Sequence, residues 1–165
     1  MERTAIYPGT FDPITLGHRD IIERAVKIFD RVIVAAAKNA GKSPLFTIDE
    51  RVEMIRESVR DIPRVEVDAF DSLIIDYCHK RKAIALIRGL RAISDFEYEF
   101  QMALINRKIG GDVESVFLMP KEEYTYLSSS MIKEIAAYGG DVSCFVPDPV
   151  KRKLIGKNTE TKETE

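Results

Sequence analysis

Thr10, His18, Lys42, Arg88, Arg91 and the run Ser128–Ser130 are the residues of this 165-residue chain whose types and spacing could do chemistry together. Thr10 and His18 sit in AIYPGTFDPITLGH (5–18), where an apolar segment meets Pro8-Gly9 and a Gly17-His18 pair then opens a helical pattern. The first N–H groups of a helix have no intrahelical partner and can bind phosphate oxygens. Gly17 would let a ligand approach the backbone closely, and His18 could donate a ring N–H to it. Lys42 offers a mobile point charge, whereas Arg88 and Arg91 offer rigid forks suited to phosphate. Arg88 ends an otherwise apolar strand, AIALIRG, where a charge needs a partner. Together these groups describe a polyphosphate site.

Plainer roles stand beside these. His18 could be an ordinary exposed or capping histidine, Lys42 a solvated charge, and one of the three serines a helix cap. Asp12 reads as a turn residue or as a partner for a cation. Asp95, Glu97 and Glu99 suit the first turn of a helix, where acids complement the dipole, and Glu99 could also reach a ligand.

The elements that would position these residues follow from periodicity. Apolar runs predict strands at 4–8, 31–37, 64–70, 83–89 and 113–120. Helical spacing covers 18–30, 72–82 and 95–108, and a Thr47-to-Glu50 capping box opens another helix. A capped helix at 128–140 ends at Gly139-Gly140, and a short one follows with Asp148 as cap and Pro149 in its first turn. That rhythm predicts an α/β fold: a doubly wound, Rossmann-like parallel sheet of about five strands with helices on both faces. One domain covers 1–156, and 157–165 reads as a polar, disordered tail. In such sheets a ligand sits beyond the C-terminal ends of the strands. The candidates fall there: Thr10, Phe11 and His18 after the first strand, Asn39 and Lys42 after the second, Arg88, Gly89 and Arg91 after the fourth, and Tyr124 and the serines after the fifth.

Composition narrows the class. A net charge of -2 argues against a dedicated nucleic-acid binder, which would carry a basic excess. Cys78 and Cys144 have no metal-ligand spacing and read as buried thiols of a protein in the reducing cytosol. No apolar run reaches bilayer length and no signal peptide is present, so a soluble, cytoplasmic protein without membrane partners is expected. His79, near a helix end, reads as structural or exposed. Neither G-x-x-x-x-G-K-[ST] nor G-x-G-x-x-G occurs, which argues against a P-loop NTPase and a dinucleotide oxidoreductase. No Ser-His-acid set or catalytic carboxylate pair stands out, so in-line transfer by positioning and electrostatics fits best.

At Thr15-Leu16-Gly17-His18 the chain resembles the T/H-x-G-H motif of the nucleotidyltransferase superfamily, and LSSSMIKE (127–134) resembles its second signature. YPGTFDPITLGH, LIRGLRAISDFEYEFQMALINR and ESVFLMPKEEYTYLSSSMIKE are similar to the bacterial phosphopantetheine adenylyltransferases over about residues 4–155, RGLRAISDFEYE being the most specific block. The resemblance implies transfer of AMP from ATP to 4'-phosphopantetheine, giving 3'-dephospho-CoA and pyrophosphate. It implies that Thr10 positions the attacking phosphate and that His18 stabilises the pentavalent transition state, with Lys42 and Arg91 also catalytic. ATP would be held by Thr10, Phe11, His18, Gly89, Leu90, Arg91, Glu99 and the loop Tyr124, Thr125, Tyr126, Leu127, Ser128, Ser129 and Ser130. Phosphopantetheine would meet Thr10, Lys42, Leu73, Ile74, Arg88, Met102 and Asn106. The family also implies Mg2+, reached mainly through ATP phosphates rather than protein ligands, and a homohexamer.

One stretch departs from the family pattern: NAGKSPLF keeps Lys42 but puts Ala40 where proline is usual and Gly41 beside it, which bears on loop closure over the acceptor. Two other readings remain: a sibling enzyme with another phosphorylated acceptor, and a non-catalytic nucleotide-sensing or RNA-binding protein. The RGLRAISDFEYE block and an apolar Leu73-Ile74 wall separate the first from the adenylyltransferase, and the intact set of cations argues against the second.

Overall fold

The computed structural model describes residues 2–38, 43–91 and 93–162. Strands β1 (Thr4–Gly9), β2 (Arg31–Ala37), β3 (Val65–Phe70), β4 (Ala85–Gly89) and β5 (Glu114–Leu118) form one sheet in the order β3-β2-β1-β4-β5. Every pairing is parallel. Between and after the strands run α1 (Leu16–Ile28), α2 (Ile48–Val59), α3 (Ile74–Lys80), α4 (Ile93–Gly110), α5 (Ser129–Ala137) and α6 (Asp148–Lys162). The doubly wound expectation is met.

Side-chain alternation sorts the helices into layers. Ala5, Tyr7, Val32, Val34 and Ile87 join one core with Ile21 and Ile22 of α1, Met54 and Ile55 of α2, Ile132 of α5 and Val150 of α6. Ile6, Ile33, Ala35 and Leu86 point to the opposite face, where Ile75, Tyr77 and Cys78 of α3 cover them. At the end of α4, Gly110 packs so closely on Ile75 that a Cβ there would stand 2.2 Å from it. β1 has β2 on one side and β4 on the other, so the winding reverses beside β1. A crevice opens at that switch point.

Local chemistry ends the elements where the site needs them. Thr15 and Thr47 both cap their helices through capping boxes, with His18 and Glu50 as the reciprocal partners. Asp20 of α1 accepts the Lys121 N–H at 2.9 Å, which pins the segment after β5 to the site. At the far end of α5, Gly139 takes φ 78 and the Gly140 N–H returns to the Ile135 carbonyl, the expected glycine stop.

Two expectations change. Helix α6 runs through Gly156 to Lys162, over most of the stretch read as a tail, and Lys157 meets Glu50 of α2 at 3.1 Å. Composition alone did not reveal this continuation or the contact with another helix. Cys78 is buried, its thiol pushed up to about 12 by burial, but Cys144 is exposed because it lies in the turn between α5 and α6. His79 is exposed and paired with Asp112 at 2.9 Å. Among the described residues, no helix is long and apolar enough to cross a membrane.

Candidate active site

The crevice at the ends of β1 and β4 has two adjoining lobes of about 550 and 310 Å3, with Gly9, Thr10, Arg88, Tyr98 and Glu99 shared between them. The first lobe is lined by His18, Arg91, Tyr124, Leu127 and the three serines. The second is more apolar, with Phe70, Ile74, Leu86, Met102 and Asn106. Two ligands could therefore meet at Thr10 and Arg88.

His18 is placed by its own helix start. The Thr15 N–H donates to His18 Nδ1 at 3.0 Å, and the Thr15 hydroxyl accepts the His18 N–H at 3.2 Å. Nδ1 is thus the acceptor, which leaves the ring proton on Nε2. Burial, reinforced by Arg91, lowers the His18 pKa to about 4, so the ring is neutral at physiological pH. Both the capping and the crevice-facing readings hold for this residue. Phe11 packs edge-on against it at 5.1 Å and adopts φ 49, a backbone that bulky side chains rarely take. Gly9 makes that possible, because a Cβ there would press on the Phe11 ring at 3.1 Å.

The arginines are held by carboxylates of α4. Arg88 grips Glu99 with two bonds, 2.6 Å and 2.5 Å, and Glu99 is 8% exposed. Arg91 donates to Asp95 at 3.2 Å and to the Leu127 carbonyl at 2.9 Å. Asp12 turns out to be a cation partner: Lys133 donates to it at 2.7 Å, and the Leu45 and Phe46 N–H groups reach it at 2.9 Å each. The serines divide their work. Ser128 caps α5, Ser129 Oγ donates to the Pro13 carbonyl at 2.7 Å, and Ser130 Oγ makes no hydrogen bond among the described residues. The Met131 N–H goes to the Ser128 hydroxyl, which leaves the helix start the N–H groups of Ser129 and Ser130 for a ligand.

Several expected residues lie off the crevice. Leu73 precedes α3 with half its surface exposed, so Ile74 alone supplies that wall. Leu90 spends its N–H on the Leu118 carbonyl beside the sheet, Thr125 Oγ1 donates to the Glu122 carbonyl, and Tyr126 turns outward onto Phe145. A strand edge and a turn alternate their side chains, so consecutive residues cannot all face one ligand. Asn39 and Lys42 lie outside the described residues.

Among the residues missed, beside Tyr98, Phe70 and Leu86 of the lining, three stand out. Lys133 stood in plain view in LSSSMIKE, one helical turn beyond Ser129. Arg51 is 1% exposed and donates to the carbonyls of Thr10, Ala37 and Phe46 at 2.7, 2.9 and 3.2 Å. Its signal was a charge four residues before Ile55 on the buried stripe of α2. Tyr7, within β1, fell in the segment read only as an apolar strand, yet it lines the first lobe.

The cytidylyltransferase-like family model matches residues 6–135. The chain is 56% identical over 155 residues to a phosphopantetheine adenylyltransferase of Caldanaerobacter subterraneus subsp. tengcongensis, covering 94% of this chain and 97% of that one. It is 55% identical to the phosphopantetheine adenylyltransferase of Thiobacillus denitrificans, over 95% of this chain and 98% of that one. Among solved structures, a putative nicotinate-nucleotide adenylyltransferase from Vibrio parahaemolyticus superposes with a TM-score of 0.68 at 18% identity, covering 94% of this chain and 99% of that one, a likeness of fold.

Proposed function

The chain belongs to the phosphopantetheine adenylyltransferases within the cytidylyltransferase-like family, and from that premise we propose how its crevice moves AMP from ATP to 4'-phosphopantetheine. The products are 3'-dephospho-CoA and pyrophosphate, a step of coenzyme A biosynthesis. The observation that carries the reading is identity above half over nearly the whole of both chains. The two-lobed crevice supports it, with a polar lobe for a nucleotide joined to a narrower apolar one.

ATP occupies the first lobe. Its phosphates meet the start of α5, Ser130 and the free N–H groups of the Arg91 fork. The pantetheine arm lies in the second lobe against Ile74 and Met102, with Asn106 as an amide partner and the phosphate end at Thr10 and Arg88. Lys42 completes that end by resemblance. An oxygen of the acceptor phosphate attacks the α-phosphorus. The bond from that phosphorus to the oxygen bridging the β-phosphorus breaks, and pyrophosphate leaves with the electron pair. A phosphate monoester is largely ionised near neutral pH, so no general base is needed. His18 donates from Nε2 to a non-bridging α-phosphate oxygen, where charge grows in the transition state.

Mg2+ belongs to this reading as part of the substrate, MgATP. Asp12, Asp95 and Glu99 are each already held by a cation, and among the described residues no cluster of three metal-ligating side chains occurs. Assembly is a homohexamer, and the location cytoplasmic. The assembly is supported by α4, whose Phe96, Leu104, Ile105 and Ile109 are 48%, 50%, 50% and 53% exposed. Apolar surface of that kind is expected to be covered.

The test is pyrophosphate release from MgATP across 4'-phosphopantetheine, nicotinate mononucleotide and glycerol phosphate. Release with phosphopantetheine alone, together with the dephospho-CoA mass, is expected. Release with another acceptor instead would keep the mechanism and overturn the substrate, and binding of ATP without any release would favour the non-catalytic alternative.

A further inference from the structure

Tyr7 is 5% exposed, the last side chain of β1 on the α1 face before the strand opens into the crevice. Its ring is fixed on two sides, edge-on to Phe11 at 5.4 Å and tilted against His18 at 6.4 Å. A buried tyrosine hydroxyl ordinarily finds a hydrogen-bond partner. Among the described residues Tyr7 Oη has none, and it lines the first lobe. The hydroxyl reaches the end of β4, 3.5 Å from where a Cβ on Gly89 would stand.

The surroundings say what could pair with it. Arg88 and Arg91, which flank Gly89 in the chain, both act on the phenol electrostatically, and they are donors only. Glu99 acts on it as well, but its carboxylate is already engaged by Arg88 through both oxygens. Burial drives the phenol pKa upward, so the group keeps its proton and acts as a donor. A donor set among donors is matched by a group that only accepts, and a phosphoryl oxygen is such a group.

We propose that Tyr7 Oη is a further substrate-binding group, donating a hydrogen bond to a non-bridging phosphoryl oxygen beside Arg88 and Arg91, where the two substrates meet. This rests on the adenylyl-transfer reading above. The phenol adds a hydrogen bond without adding charge, and a fixed donor acts most strongly where negative charge develops. Its effect therefore falls on turnover more than on ground-state binding of either substrate.

Tyr7→Phe is the test, because it keeps the ring against Phe11 and His18 and removes one oxygen. Pyrophosphate release is measured on the full-length wild type and variant with ATP and 4'-phosphopantetheine each varied, alongside thermal unfolding. The expected result is a kcat lower by about tenfold to a hundredfold with both KM values within about threefold, as for loss of one preorganised donor. The unfolding midpoint should stay level, since the hydroxyl opens onto the crevice and has no protein partner among the described residues to lose. A kcat within twofold of wild type overturns the proposal. So does a variant that unfolds far earlier than wild type or fails to fold, which would give the hydroxyl an internal role. If the wild type itself releases no pyrophosphate with phosphopantetheine, the substrate reading fails first, and this proposal falls with it.

Discussion

At the level of single residues, the His18 ring is neutral at physiological pH because burial and the Arg91 charge push its pKa the same way, to about 4. Between that value and the ordinary 6.5, the unfolded chain binds a proton at this position that the native chain does not. Stability therefore rises with pH across the window and is lost as pH falls from 6.5 towards 4, at no more than about 1.4 kcal/mol per pH unit for one proton. His18→Ala should remove this share from a pH series of urea unfolding. The same variant should bind ATP nearly as wild type while turnover drops by several decades. A fall of less than about tenfold would refute the transition-state role. That His18 stands at a helix start facing the crevice was legible from TLGH, but its tautomer was not, because the Thr15 N–H that sets it depends on helix geometry.

Whole elements matter at the crevice because three of them are tied together by one side chain. Arg51 of α2 binds the carbonyl of Thr10 after β1, that of Ala37 at the end of β2 and that of Phe46 before α2. Asp12 holds the same loop from the other side through the Leu45 and Phe46 N–H groups. Backbone groups that a loop cannot pair within itself are paired by buried side chains instead. Arg51→Met leaves these carbonyls unpaired, and urea unfolding should show a loss of about 3 kcal/mol. A loss below about 1 kcal/mol would mean that the loops are anchored elsewhere. The strands and most helices were readable from apolar spacing, and β2 was placed at both ends. Helix α6 was cut short, because its continuation is polar and without apolar spacing, and its Lys157–Glu50 contact with a distant helix is not a local pattern.

For the molecule as a whole, α4 is the anomaly: apolar side chains lie all around it, which suits a helix covered on every side. In the isolated chain much of that surface faces solvent. If the hexamer covers it, Leu104→Glu should place a charge in an apolar interface and shift the enzyme to smaller species in sedimentation velocity. A wild type that sediments as a monomer would contradict the assembly outright, and an unchanged hexamer in the variant would move the interface away from this helix. Spacing pointed to a helix in this segment and already placed apolar residues on all its sides; which of them the sheet and α3 leave exposed was decided by the tertiary structure.

Apolar periodicity and motif chemistry alone determined the parallel α/β sheet, the strand-end position of the site, and the motifs whose resemblance led to the family. These are local properties, carried by spacings of a few residues. Tertiary structure decided which of those strand-end residues face the crevice and which turn away, as Leu73, Thr125 and Tyr126 do. It also decided the ion pairs that hold Arg88, Arg91 and Asp12, and the placing of Tyr7 and Arg51 at the site. Each of those outcomes depends on a side chain meeting a partner far away in the chain, and no local pattern encodes the meeting.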